Sequence, residues 1–355
     1  MSIITKDPHT WFVTKNDKGK TQTVYNNEHY EHNYPVGFEC NFSDTPTPPV
    51  NTVTLYNMSK EHRDFYEKGQ KVYLAFNWGT SKKIISEGYI SKIQSNSSDG
   101  TTETFQLTFT EGTDYKNVKA SKMKVSKTKT VNGYKKVKQT TAGHYENKAY
   151  HYTTTEVYKT GKKKGQTHEV RHIGHKKTWV PAKTKTKRVK TKKTKTVQVN
   201  KTFRAGTSTK AVIQGVASQG GIKIAKIQLA KNPKMKKAYT AKGKPLTLLK
   251  SLVKTTGSKM TYVRGNLEIV NPKSTKRTWY EIDDKDLITP PNFNSEDEDS
   301  KKGNWEITTP LIPEITVNVG IQMKSRYLKG KFYVKAGQHT SDGENPQTQC
   351  TLVAL

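Results

Sequence analysis

The chain has 355 residues, a length that suggests two or three domains. Its hydrophobic content of 32% is low for a globular protein, and 62 lysine and arginine residues against 30 acids give a net charge of +32. The sequence has no run of about 18 apolar residues and no apolar core of a signal peptide near its start. It therefore excludes a transmembrane helix and favours a chain made in a cytoplasm and not exported by the usual route.

The first predicted elements surround a small apolar core. Residues 36–42 and 50–56 alternate apolar and polar side chains, as half-buried strands do. Asn57 or Ser59 caps a short helix predicted over residues 60–68. Further strands are predicted over residues 11–13, 21–25, 71–76, 84–93 and 102–110. Together these elements indicate a small antiparallel barrel or sandwich with one helix laid across it.

The positive charge is concentrated in residues 119–201. This tract has 25 lysine and arginine residues and only three acids, Glu146, Glu156 and Glu169, so it holds +22 of the net charge. No face of the tract is continuously apolar, and it cannot form a core of any size. Two interpretations follow: a long solvated β-arm, which the tyrosine, threonine and valine content favours, or a disordered segment.

Turn signals divide the tract. Val131-Asn132-Gly133-Tyr134 is a strong signal for a two-residue hairpin. Residues 145–158 and 167–180 are predicted as a strand and its return, joined by a turn over residues 160–165. Residues 183–195 alternate lysine and threonine. The arm is therefore predicted to contain two hairpin turns.

Residues 203–272 predict a small α/β module. One helix is capped at Gly206-Thr207-Ser208 and a second is opened by Pro245. A strand is predicted over residues 222–229, and a hairpin around Gly265-Asn266 follows the second helix.

Residues 273–355 return to β-structure and predict a second small barrel. Thr289-Pro290-Pro291 and the acidic run 296–299 are predicted as a linker or exposed loop. The expected strands cover residues 279–282, 305–308, 315–321, 332–336 and 347–355.

Catalytic signals are weak. His168-Glu169-Val170-Arg171-His172 is similar to the zinc pattern H-E-x-x-H, but that pattern needs a helix and the surroundings alternate like a strand. A solvated strand is favoured over a structural or adventitious metal site. His339 with Asp342 could form an acid–base pair, although a turn hydrogen bond is favoured. The acidic run could bind cations, although a solvated loop is favoured.

Other chemistry is not indicated by the sequence. Cys40 and Cys350 are too few for a disulfide framework or a zinc site, and a single bridge between them is disfavoured in a cytoplasmic product. Phosphate-loop, dinucleotide-binding and nucleophile-elbow motifs are absent from the sequence. We therefore expect no cofactor, no metal and no enzymatic activity.

The basic tract suits a polyanion, because lysines are interleaved with tyrosines and a tryptophan. The polyanion could be nucleic acid or a phosphate-rich polymer of a bacterial wall. Lysine outnumbers arginine, which disfavours sequence-specific recognition. An alternative interpretation is equally open, in which the charge only keeps the arm soluble and prevents pairing along its edges. The candidate binding residues are Lys162, Lys163, Lys164, Arg171, Lys176, Lys177, Trp179, Lys183, Lys185, Lys187, Arg188, Lys190, Lys192, Lys193 and Lys195.

The order of barrel, α/β module and barrel resembles that of phage baseplate hub proteins. The segment Val-Asn-Thr-Val-Thr-Leu-Tyr-Asn-Met-Ser over residues 50–59 is similar to the strand that enters the first helix of that family. Later segments keep the family's order, and the resemblance covers nearly the whole chain except residues 127–196. The other matching segments are residues 67–76, 87–93, 203–213, 246–253, 262–269, 311–315 and 330–343.

The resemblance implies a mainly β fold with two tail-tube-like barrels. The first barrel covers residues 1–118, and residues 119–202 supply strands of the second barrel that carry the basic insertion at about residues 127–196. The small α/β module covers residues 203–272. Residues 273–355 complete the second barrel.

The resemblance also implies a structural role. Hubs of this family are similar to two fused tail-tube domains, so a homotrimeric ring would adapt a sixfold tail tube to a threefold spike or tip. The implied partners are the tail tube protein, the spike or tail-tip protein and other baseplate proteins. The implied location is the baseplate of a virion, or of a contractile bacteriocin or injection system, assembled in a bacterial cytoplasm. The arm would face outward, toward baseplate neighbours or the cell envelope.

Two other function classes stay open at this point. The chain could be a nucleic-acid-binding or wall-binding protein that acts through residues 127–196. It could also be a wall hydrolase or peptidase carried on a tail, whose activity would depend on His168, Glu169 or His172.

Overall fold

A computed structural model describes residues 5, 7–27, 35–294 and 303–355. The chain forms two compact units, which we call the body (Met1–Lys124 and Asn200–Leu355) and the ribbon (Val125–Val199). Both are built mainly of β-strands, which confirms the predicted fold class. The acidic run 296–299 lies outside the described residues.

The first lobe of the body is an antiparallel sheet that curls around one apolar core. Alternate side chains of its strands, such as Val53, Leu55, Phe105, Leu107 and Phe109, are buried, as the alternation in the sequence predicts. Its strands are β1 (Pro8–Lys15), β2 (Thr21–Asn26), β3 (Val36–Ser43), β4 (Val50–Tyr56), β5 (Lys71–Trp78), β6 (Ile84–Ser98) and β7 (Glu103–Glu111). They lie in the order β3-β4-β7-β6-β5-β1-β2.

One short helix, α1 (Lys60–Arg63), follows β4. The Ser59 hydroxyl accepts a hydrogen bond from the backbone N–H of His62 at 3.4 Å, so Ser59 is the cap. The predicted helix over residues 60–68 is too long. The chain leaves the helix after Arg63 because it turns to bury Tyr66 in the first core.

The ribbon consists of two antiparallel strand pairs. A short 3-10 helix (Ala120–Met123) precedes β8 (Lys124–Thr141), which pairs with β11 (Lys183–Asn200). Between them, β9 (His144–Val157) pairs with β10 (Thr167–Val180). The ribbon thus has strands where the arm interpretation predicts them. None of its side chains is buried.

Two predictions for this tract are wrong. A type I′ hairpin at Asn132-Gly133 needs a positive φ at both residues, but neither has one, and β8 runs straight through them. The flanks of the tract were also predicted to be strands of the second barrel. Instead, β8 and β11 form a separate two-stranded sheet.

The α/β module follows the ribbon. Its elements are β12 (Thr202–Phe203), α2 (Thr209–Gly220), β13 (Lys226–Ile227), β14 (Tyr239–Thr240), α3 (Pro245–Thr255), β15 (Lys259–Val263) and β16 (Asn266–Val270). Both helices pack their apolar faces into a second core with Tyr262 and Ile269. In the described part of the chain, no helix is long and apolar enough to cross a membrane.

Most helix caps and turns of the module lie where the sequence predicts them. The Ser208 hydroxyl accepts from the Ala211 N–H at 3.3 Å, and Gly221 ends α2 with a φ of 68°. The strand predicted over residues 222–229 is reduced to the two residues of β13. The hairpin turns at Arg264-Gly265, with φ values of 49° and 84°, one residue earlier than predicted.

The second lobe completes the body around a third core. Its strands are β17 (Trp279–Ile282), β18 (Thr289–Asn294), β19 (Asn304–Pro310), β20 (Gly320–Lys324), β21 (Lys329–Ser341) and β22 (Gln347–Ala354). A short 3-10 helix (Asp284–Asp286) connects β17 to β18. The order is β18-β19-β22-β21, with β20 beside β21 and β17 beside β20.

Two predictions fail in the second lobe. Thr289-Pro290-Pro291 belongs to the strand β18 rather than to a loop. β18 lies at the end of the strand order, where proline is tolerated because one side of the strand needs no hydrogen-bond ladder. The segment 315–319 forms turns, in which the Ile315 N–H donates a hydrogen bond to the Ile312 carbonyl. The predicted strand begins only at Gly320. Its alternating residues are nevertheless buried in the third core.

β21 joins the two lobes into one sheet. Its first half, from Lys329 to Tyr333, pairs with β20. Its second half, from Ala336 to Ser341, pairs with β3 of the first lobe. The two lobes therefore share a continuous hydrogen-bond ladder.

Candidate polyanion-binding site

A single register runs along the ribbon. β9 and β10 pair without a shift over their whole length. Two side-chain hydrogen bonds continue that register in β8 and β11, one between the hydroxyls of Thr140 and Thr184 at 3.1 Å and one from Gln198 to Ser126 at 2.9 Å. Because opposite residues share a face, even-numbered side chains form one face and odd-numbered side chains the other.

A break divides the ribbon into two halves. Pro181 follows β10 and has no N–H to donate to a neighbouring strand. Opposite it, the Trp179 ring packs on Gly143, where a Cβ atom would lie only 2.4 Å from the ring. We call residues 144–180 the tip half, and residues 125–141 with 183–199 the stem half.

The candidate binding residues fall into three places along the ribbon. Three lie in the turn at the tip, four on β10 and eight on β11, and all are exposed. The tip turn holds Lys162, Lys163 and Lys164; β10 holds Arg171, Lys176, Lys177 and Trp179; β11 holds Lys183, Lys185, Lys187, Arg188, Lys190, Lys192, Lys193 and Lys195. The structure therefore brings together the β11 set but separates it from the tip lysines.

The odd-numbered face of the stem half has the densest charge. Eight side chains of this face are lysines, and none is acidic. We call the following set the lysine row: Lys127, Lys129 and Lys135 of β8 with Lys183, Lys185, Lys187, Lys193 and Lys195 of β11. The β8 members were missed from the sequence because the false turn at Asn132-Gly133 hid the pairing of β8 with β11.

The two halves differ in charge. The stem half has 13 lysine and arginine residues and no aspartate or glutamate. The tip half has eight, with all three acids of the ribbon and five of the ten histidines of the chain. The excess of positive charge is therefore larger in the stem half, at +13, than in the tip half, at +5.

The tip half has stacked rings instead. On its even face, Tyr158 stacks on His168 with ring centroids 4.1 Å apart, and Tyr152 stacks on His172 at 5.1 Å. His172 also bonds the Thr154 hydroxyl at 2.7 Å. These pairs rigidify the ribbon across its strands.

The H-E-x-x-H-like pattern lies on a strand, as predicted. His168 and His172 are on the even face and Glu169 is on the odd face, so the helical arrangement of a zinc peptidase is not formed. Within the described residues, no group of three or more histidine, cysteine, aspartate or glutamate side chains could hold a metal ion.

His339 and Asp342 have separate partners. The His339 ring is buried beside Phe42, and its Nδ1 lies 2.8 Å from the Thr348 hydroxyl. Burial lowers the pKa of His339 to about 3, with a smaller contribution from Arg264. Asp342 accepts from backbone N–H groups in the turn before β22. Cys40 and Cys350 are both buried and free.

A buried carboxyl group lies where the first lobe meets the module. Glu111 accepts hydrogen bonds from the Ser86 hydroxyl at 2.9 Å and from the Gly265 N–H at 2.8 Å, while Asn51 donates to Ser86. Burial raises the pKa of Glu111 to about 7, although these hydrogen bonds and Arg264 act to lower it. This group could not be identified from the sequence, because an isolated glutamate at a strand end is ordinarily exposed.

The body and ribbon together match solved structures over almost their whole length. The 43 kDa tail protein of prophage MuSo2 from Shewanella oneidensis is 11% identical, with 97% of this chain and 98% of that chain covered and a TM-score of 0.55. This chain has the fold of a phage tail protein. A tail protein from Neisseria meningitidis has the same fold, with 8% identity, 97% and 96% coverage and a TM-score of 0.51.

The tail-protein fold confirms, at the level of architecture, the resemblance that the sequence indicated. No protein-family model matches the sequence, and no curated protein matches it. At 11% and 8% identity, the likeness to the two tail proteins is one of fold.

Proposed function

We propose that this chain is a structural hub of a phage or phage-like tail baseplate. The observation that carries the proposal is the tail-protein fold, which extends over 97% of the chain. In this role three copies form a ring that joins a sixfold tail tube to a threefold spike or tip, in contact with tube, spike and other baseplate proteins. The ring is part of a virion tail or of a related contractile bacteriocin or injection system, assembled in the bacterial cytoplasm.

The architecture of the body supports a symmetry adaptor. Each chain contributes two sheet lobes that β21 holds together, so three chains present six lobes. In the described part of the chain, β2 and β18 end the strand order of the sheet and pair on one side only. Such edges can pair with a neighbouring subunit. This role requires no catalytic residue and no cofactor.

The mass of the purified chain in solution tests this proposal. Light scattering at high salt, which suppresses adventitious polyanion binding, should give three times the 40.2 kDa of one chain. Negative-stain images of the same fraction should show rings with a central hole. A monomer that stays monomeric when mixed with its tail tube and spike proteins would contradict the proposal.

We propose polyanion binding through residues 127–196 as a second function, which the acid-free stem half of the ribbon favours. Association of the chain with a nucleic acid or a bacterial wall polymer should weaken steeply as salt rises, because counterions are released on binding. Deletion of residues 127–196 should abolish it.

A further inference from the structure

The stem half of the ribbon presents an exposed and strongly charged sheet face. Its side chains are not buried, and its 13 cationic residues face no acid within the same half. An isolated two-stranded ribbon is at best marginally stable in water, so a bound partner would stabilise it considerably. The chemistry of this face determines what the partner can be.

A second ribbon does not fit this face. Two stem halves would bring together two sets of 13 cations with no acid to offset them. Like charges across an interface cost several kcal/mol by typical estimates. The face is complementary to an anion instead.

The spacing of the lysine row indicates a polymer with regular charges. Lys183, Lys185 and Lys187 occupy every second position of β11, and Lys193 and Lys195 repeat the pattern. Residues two apart on a strand are about 6.6 Å apart. Successive phosphates that are joined through three carbons, as in a polyol phosphate or a nucleic-acid strand, lie at a comparable distance when the chain is extended.

The lack of aromatic rings in the stem half argues against single-stranded nucleic acid. Proteins that hold single strands combine cations with aromatic platforms on which the bases stack. Tyr134 is the one aromatic side chain of the stem half, and it lies on the even face, opposite to the lysine row. Lysine also provides a point charge in place of the bidentate fork that makes arginine the preferred residue for nucleic-acid recognition.

We propose that the lysine row binds a linear polyol-phosphate polymer, with successive phosphates paired to successive lysines of β11. The inference rests on the second function proposed above, and it names the ligand class and the face. The tip half contributes little, since its lysines are separated from the row.

Binding by the full chain can be compared for two probes. The first is end-labelled poly(glycerol phosphate), and the second is oligodeoxythymidine with the same number of phosphates. Fluorescence anisotropy over a range of salt gives Kd and the slope of log K against log salt. We expect tighter binding of the poly(glycerol phosphate).

Matched variants test the face. Lys183→Gln, Lys185→Gln and Lys187→Gln together should weaken binding at least tenfold and lower the salt slope by about 2, since each contact contributes about 0.7. The control triple Lys162→Gln, Lys163→Gln and Lys164→Gln removes the same charge from the tip and should change Kd less than threefold. The triple Lys183→Arg, Lys185→Arg and Lys187→Arg should restore binding, which separates lost charge from misfolding.

The outcomes are distinguishable. Equal losses in the two glutamine triples would overturn the assignment to the lysine row while polyanion binding stands. Tighter binding of oligodeoxythymidine would replace the polyol phosphate with a nucleic acid. If the unmodified chain binds neither probe at low salt, polyanion binding itself is wrong, and the inference is wrong with it.

Discussion

The body and the ribbon are both β-structures, but different forces stabilise them. The body encloses three apolar cores, and side chains such as Phe12, Leu74 and Phe109 are fully buried. The ribbon buries none of its side chains, so it depends on its backbone ladder and on cross-strand pairs worth about 0.2–1 kcal/mol each. Because the ribbon has no core, its exposed side chains determine what it can bind. Many of these side chains are charged in the stem half, and the tip half adds aromatic rings.

The largest expected effect is the removal of a large buried ring from the body. Phe109 on β7 is fully buried and lies 6.4 Å from Phe12, ring to ring. We expect Phe109→Ala to lower the free energy of unfolding of the body by about 3–5 kcal/mol, because it removes apolar burial and leaves a cavity. Urea unfolding followed by tryptophan fluorescence measures the change. A loss below about 1 kcal/mol would mean that the first core is not as closely packed as described.

The next effect distinguishes two buried titratable groups of the body. The folded pKa of Glu111, about 7, is raised from 4.5, so its contribution to stability grows as the pH falls from 7 to 4.5. The folded pKa of His339, about 3, is lowered from 6.5, so its contribution is lost as the pH falls below 6.5. Each slope is about 1.4 kcal/mol per pH unit, and between pH 6.5 and 4.5 they oppose each other.

Single variants should expose these slopes. As the pH falls from 6.5 to 4.5, we expect the free energy of unfolding of Glu111→Gln to fall by roughly 3 kcal/mol more than that of the unmodified chain. The reason is that the loss of stability at His339 is no longer offset by Glu111. His339→Gln should show the opposite difference over the same range. Urea unfolding at half-unit pH steps measures both. Parallel pH profiles for all three proteins would show that neither group titrates as its burial implies.

A smaller effect is expected at the start of α2. Ser208→Ala removes the hydroxyl that accepts the Ala211 N–H and should cost about 1 kcal/mol. The neighbouring Thr207→Ala serves as the control, because Ser208 provides the side-chain cap. Thermal or urea unfolding of both variants compares them. Equal losses would indicate that the hydroxyl hydrogen bond contributes nothing specific.

The smallest effect should be confined to the ribbon. Tyr152→Ala removes a ring that stacks on His172, and we expect it to weaken the tip half by less than about 1 kcal/mol. Hydrogen exchange followed by mass spectrometry should show faster exchange in peptides of β9 and β10 and unchanged exchange in peptides of the body. Faster exchange throughout the body would remove the distinction between the two units.

Much of the body could be predicted because its local signals agree with its packing. In β4 and β7 the alternation of the sequence is the alternation of burial, and β17 has the predicted bounds. Pro245 opens α3 and Gly221 ends α2, as their backbone preferences require. These signals act over a few residues and need no knowledge of distant partners.

The wrong predictions lie where pairing with a strand distant in the sequence overrides the local preference. Asn132-Gly133 is a turn by its own preference, but pairing with β11 keeps it extended. Pro290 and Pro291 lie in a strand because β18 pairs with β19 along one side. The face of the lysine row could not be predicted, since it depends on the register between strands about 60 residues apart. The candidate cations of β11 were identified from the sequence, but their separation from Lys162–Lys164 was not.

The strand β21 also has a consequence for how the chain reaches its native state. It pairs with β3, so the sheet of the first lobe gains a neighbour from the opposite end of the sequence. Contacts this remote form slowly, because the entropy of closing the intervening loop is lost before any pairing compensates for it. During synthesis, one edge of β3 therefore has no β21 to pair with until about 300 further residues have left the ribosome. Until then that edge can pair with strands of other molecules.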